Sequence, residues 1–173
     1  VKAAHLVRRF VGSLRPGGPS PLEQEWAEAQ LLPAEAALWR ELPAADRRHS
    51  AGVARRVEAT LGPDATRPVL AAALLHDVGK KVSGLGTPGR VVATVASLTV
   101  VRTPQAAERW RRARGARWFI GTYLRHPELG ARLLAGAGSD PLTVAWTLEH
   151  HRPPERCTLD PRVADALRQA DDA

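Results

Sequence analysis

The stretch that most limits what this chain can fold into is Ala71-Ala72-Ala73-Leu74-Leu75-His76-Asp77-Val78-Gly79-Lys80. Residues 67–75 favour helix, and their alanines and leucines offer water no polar face. A helix of this kind belongs in a core, yet it ends by delivering an imidazole and a carboxylate there. Burying that pair is costly unless something compensates it. Gly79, free to take a positive φ, is expected to end the helix. A bound metal ion would compensate His76 and Asp77, so further ligands must be sought along the chain.

Proline and glycine divide the rest into helical segments. The first, over residues 1–14, puts Leu6, Val7, Phe10 and Val11 on one side. Arg15 to Pro21 breaks the chain, and Ser20-Pro21 reads as an N-cap followed by proline at the first helical position. Helices over 22–31 and 34–42 follow, with no recognisable chemistry. Leu42, Ala45, His49, Val53 and Val57 then recur at three- and four-residue steps, which places His49 in a core-facing stripe. Gly62-Pro63 ends that helix, and the 67–77 helix comes next.

Beyond Lys81, the glycines of 83–89 make a loop flexible enough for a lid or a phosphate contact. Residues 90–101 are β-branched, but nothing else in the chain could pair with them as a strand, so they are read as helix. Residues 104–114 form a basic helix. The Trp118–Leu124 segment reads as core and leads to His126. Pro127 opens a helix to 135, Asp140-Pro141 opens one reaching His150-His151, and Asp160-Pro161 opens the last, reaching Asp171. The expected architecture is all-α: a helical extension over 1–43 and a helical domain over 44–173.

The chain has 173 residues, enough for one domain with a real core, and a net charge of +7. Only Lys2, Lys80 and Lys81 are lysines. Arginine supplies the rest of the positive charge, as phosphate affinity or merely a GC-rich genome would produce. Cys157 stands alone, which excludes an intrachain disulfide and fits a reducing compartment. No apolar run has the length of a membrane span, and no secretory core is present at the start. A cytoplasmic protein without membrane contact is expected. The 109–117 arginines lack interleaved aromatics, which weighs against nucleic acid as a partner.

The histidines fall into an ordered series: His49, His76-Asp77, His126 and His150-His151, closed by Asp171. Singly, each has an ordinary explanation as a core histidine, a helix end or a frayed acidic tail. Together they offer imidazole and carboxylate without thiolate, which suits Fe, Mn or Zn at sites with open coordination positions. Seven ligands exceed the needs of one ion but suit two that share a carboxylate.

In this order the series resembles the HD superfamily of metal-dependent phosphohydrolases, whose signature is His…His-Asp…Asp. His76-Asp77-Val78-Gly79-Lys80 matches that family's His-Asp-x-Gly-Lys element. His126-Pro127-Glu128-Leu129-Gly130 with Leu133-Leu134, and Glu149-His150-His151, resemble its later elements. The resemblance covers residues 44–172 and implies an HD-type helical bundle. It also implies that His49, His76, Asp77 and Asp171 bind one divalent ion. Asp77 would bridge to a second, completed by His126, His150 and His151. The ions would be Fe or Mn foremost, with Zn, Mg or Ni compatible. Lys80 would contact a phosphate of a small, nucleotide-like substrate, and Asp77 and Lys80 would carry the catalysis, with a metal-bridging hydroxide as nucleophile.

Two departures stand out. Arg152-Pro153-Pro154-Glu155 follows the paired histidines where the HD-GYP branch has Gly-Tyr-Pro, and Ala45 stands where trinuclear members have glutamate. Two rival readings share the ligand order: a di-iron oxygenase, and a non-catalytic metal-stabilised module that binds nucleotide.

Overall fold

Proline starts most of the helices. The computed structural model describes residues 17–173; the helix expected over 1–14 lies outside them. The described residues form ten α-helices and no strand: α1 Pro21–Ala29, α2 Pro33–Arg40, α3 Ala44–Leu61, α4 Arg67–Leu75, α5 Thr87–Thr99, α6 Pro104–Arg111, α7 Ala116–Leu124, α8 His126–Gly136, α9 Pro141–Glu149 and α10 Pro161–Asp172. Eight of the ten carry proline in the first two positions, where the missing N–H costs nothing. Ser20, Thr103, Asp140 and Asp160 cap four of them through their side chains, and Ser20 and Glu23 close a full capping box. The β-branched segment is helical, as expected from its lack of a pairing partner.

Helix α4 is the centre of the packing. Every residue from Val69 to Leu75 is buried, and α2, α3, α9 and α10 pack around it. Burying the Leu74 and Leu75 side chains contributes roughly 1.5–3 kcal/mol each. Trp39 of α2, Val53 and Val57 of α3, Trp146 of α9 and Leu167 of α10 complete the same core. Ala27, Leu31 and Trp39 belong to it too, so the described part of the first forty residues packs directly on the remainder. Trp39 donates its indole N–H to Ser50 at 2.9 Å, which satisfies that buried polar atom.

A second, smaller apolar cluster lies in the α5–α7 layer, where Ala96, Val101, Ala106 and Ala107 meet Trp110, Ile120 and Leu124. Gly121 permits the tight α6–α7 approach, since a Cβ there would lie 2.2 Å from the Arg111 nitrogen. The aromatic segment expected to be core is only partly so. Trp118 and Phe119, in the first turn of α7, remain 36% and 41% exposed.

Helix α4 also ends differently from expectation. It stops at Leu75 instead of running to 77, and the chain tightens into a 3-10 segment over Val78–Ser83. Gly79 does not take a positive φ; Gly84 does, at φ 64°, and closes that segment. Gly79 has another task. A Cβ on it would lie 2.0 Å from the His126 carbonyl oxygen and 2.6 Å from the Gly130 nitrogen. The start of α8 can therefore rest directly on the segment that follows Asp77.

Candidate metal centre

Three histidines sit where helices begin or end. His76 caps α4, His150 caps α9, and His126 opens α8 directly behind α7. Each uses Nδ1 in the same way. His76 Nδ1 donates to the Ala73 carbonyl at 2.9 Å, His126 Nδ1 to Tyr123 at 2.8 Å, and His150 Nδ1 to Thr147 at 2.9 Å. A carbonyl can only accept, so Nδ1 carries the hydrogen in all three. The coordinating atom left in each ring is Nε2, and it points inward. All three Nε2 atoms are buried without a hydrogen-bond partner. Buried polar atoms are rarely left so, and three together call for a common explanation.

The carboxylates supply the other half of the arrangement. Asp77 Oδ1 lies 3.4 Å from His126 Nε2 and 3.6 Å from His150 Nε2, and its Oδ2 lies 3.4 Å from His76 Nε2. Asp171 Oδ1 is 3.5 Å from His76 Nε2 and 3.0 Å from His49 Nε2. Separations of 3.4–3.6 Å are long for hydrogen bonds. They are close to the roughly 3.0–3.4 Å between two donors that each lie about 2.1 Å from one ion.

Two groups of side chains result, each with its ligand atoms within 4.8 Å of one another: His49, His76 and Asp171, and Asp77, His126, His150 and His151. Either could hold a metal ion, and Asp77 turns one oxygen to each. All seven residues singled out from the sequence for metal binding are therefore brought together. The donor set is imidazole and carboxylate, and it fits a first-row divalent cation.

The electrostatics follow from burial and charge. At His76, desolvation opposes the charged form, but Asp77 and Asp171 together outweigh it and raise the pKa from 6.5 to about 10. Burial alone would raise the Asp77 pKa, yet the positive charges of Lys80 and His76 hold it well below 3.8. His126 is pushed down to about 4, chiefly by burial, and His150 is lowered for the same reason. His151 is exposed as a residue, but its ring packs against His150 and His126, with centroids 3.9 and 5.2 Å away. Crowding of that ring, then the neighbouring imidazoles, lowers its pKa. His76 thus attracts a proton, while burial and crowding keep His126, His150 and His151 neutral and ready to coordinate.

Several residues hold this geometry although nothing in the sequence singled out their roles. The Arg56 guanidinium donates to the Ala170 carbonyl at 2.9 Å and fixes the end of α10 against α3, so Asp171 meets His49. Glu149, buried beside His150, accepts from the Thr158 N–H at 2.7 Å and ties down the loop after the paired histidines. Asp46 and Arg90 join the starts of α3 and α5 at 2.6 Å. Such long-range pairings leave no local pattern. Glu149 alone lay within a matched motif.

The two adjacent lysines separate clearly. Lys81 pairs with Glu41 at 2.6 Å, away from the histidines. Lys80 is only 12% exposed, pairs with Asp77 Oδ2, and lies 6.0 Å from the centre of the Tyr123 ring. The loop read as a lid is short, since α5 begins at Thr87. Among the described residues, no helix is long and apolar enough to cross a membrane. Compared with protein-family models, curated proteins and solved structures, the chain matches none.

Proposed function

We propose that the chain is a metal-dependent phosphohydrolase of the HD type, holding two divalent ions and acting on a small, nucleotide-like phosphate ester. One observation carries this reading: seven ligand side chains divide into two groups, and the two oxygens of Asp77 turn one to each. Bound there, two cations would supply a nucleophilic hydroxide at neutral pH and offset phosphate charge. The chain's own part is to hold and orient. Nδ1 donation to the helix carbonyls locks the His76, His126 and His150 rings, so little reorganisation accompanies ligand capture. Asp77, ionised far below neutrality, spans the two groups. The Lys80 ammonium, paired with Asp77, would hold a phosphate oxygen beside them.

The test pairs metal analysis with turnover. Purified protein should carry up to two ions and release phosphate or cleave a phosphodiester from a panel of nucleotides. Lys80→Ala should retain the metal and lose most turnover. Oxygen consumption by the iron-loaded protein, without phosphate release, would overturn the hydrolase reading in favour of an oxygenase. Metal binding with neither activity would leave a binding module.

A further inference from the structure

The α5–α7 layer combines two features that a globular surface normally keeps apart. Val91, Val92, Val95 and Leu98 recur at helical spacing on α5, and all are exposed, Leu98 to 66%. Val100, just past the helix end, is also 66% exposed, and Trp118 and Phe119 lie edge to face on α7 with ring centroids 4.9 Å apart. The charge is equally uneven. Residues 87–125 hold eight arginines and one glutamate; Arg90 and Arg125 pair with Asp46 and Glu128 outside the segment, which leaves a local +5. That glutamate, Glu108, is already engaged by Arg111 and Arg112 at 2.6 and 2.9 Å. Arg102, Arg109, Arg112, Arg114 and Arg117 are exposed.

We infer that this layer docks on an anionic lipid surface, with the α5 strip and the aromatic pair entering the headgroup boundary and the arginines meeting lipid phosphates. Exposed aliphatic and aromatic side chains together with exposed arginines in one layer are the composition that binding at a lipid interface requires. A second copy of the chain fits poorly, because a two-fold contact through this face would set one arginine-rich surface against another. Nucleic acid would satisfy the arginines but leave the valines and Leu98 in water. The inference is independent of the metal centre. It revises the expectation that the chain makes no membrane contact, without requiring a span.

Flotation of the full chain with vesicles tests it. Vesicles of phosphatidylcholine containing phosphatidylglycerol should carry the protein, pure phosphatidylcholine vesicles should not, and salt should weaken capture. Leu98→Glu, or Val92→Glu on the same strip, should weaken capture about tenfold with unchanged circular dichroism, as should Arg114→Ser with Arg117→Ser. Vesicle binding should also blue-shift the tryptophan emission, and Trp118→Phe should diminish that shift. Failure to float with the anionic vesicles would overturn the inference. So would capture that ignores Leu98→Glu and Val92→Glu, which would indicate polyanion adhesion only. Dimerisation in place of vesicle binding, abolished by Leu98→Glu in sedimentation, would assign the face to a second copy.

Discussion

The region around α4 and the α5–α7 layer use apolar residues in opposite ways. Around α4, apolar side chains from seven helices are buried together, and the polar groups admitted among them include the metal-centre ligands His76, Asp77, His126 and His150. In the α5–α7 layer a core of four small residues joins three helices, while larger aliphatic and aromatic side chains face outward. The first region packs side chains on every side of the ligand-bearing helix ends, as ligand geometry demands. The second gives up part of its burial to keep a surface available. Substitutions in the two should therefore separate cleanly.

The sharpest break is expected at Gly79. Gly79→Ala places a methyl group 2.0 Å from a backbone carbonyl that cannot move without α8. It should cost at least about 3 kcal/mol in denaturant unfolding and displace His126 from Asp77. A loss below about 1 kcal/mol would show that the close approach can relax. Next comes Asp77→Asn, which removes the charge shared by both groups. Calorimetric metal affinity should fall at least about 100-fold, or about 2.7 kcal/mol, with far less change in fold. Unaltered affinity would deny Asp77 its bridging position.

The pH dependence of metal-free protein should be smaller. His76 has a folded pKa raised from 6.5 to about 10, so its contribution to stability is full below 6.5 and is lost as pH rises through 10. His126, lowered to about 4, works in the other direction, since the unfolded chain takes up its proton first as pH falls below 6.5. Thermal midpoints should peak near pH 6.5 and decline on both sides. Metal binding at pH 8 should release about one proton from His76, read from calorimetry in buffers of different ionisation heat. A flat stability profile, or release of no proton, would contradict the charge assignment. The smallest effect belongs to the other region: Leu98→Glu should change stability by no more than about 0.5 kcal/mol and leave metal affinity untouched. A large loss there would mean that α5 is buried in solution.

Features governed by neighbours in sequence were legible before any coordinates. Ser20-Pro21, Asp140-Pro141 and Asp160-Pro161 mark helix starts because cap chemistry is local. His76-Asp77 was legible because an imidazole and a carboxylate at the end of an apolar helix conflict with their surroundings. The other five ligands stood out only through their order along the chain and the resemblance it carries. What escaped depends on tertiary proximity. Gly79 reads as a turn residue until His126 is seen against it, and Trp118 and Phe119 read as core although their rings stay partly exposed on α7. The Arg56–Ala170 and Glu149–Thr158 contacts bridge elements that no periodicity connects.

The Nδ1 contacts of His76, His126 and His150 have a consequence for how this sequence can change. Each ring fastens to the carbonyl three residues earlier, so it doubles as the stopper of the turn that carries it. Adding one residue to α4, α7 or α9 would swing the following imidazole by about 100° and move it out of the cluster. Helix length is thereby frozen at three points, and insertions or deletions can accumulate only in linkers such as 84–86, 112–115 and 137–139.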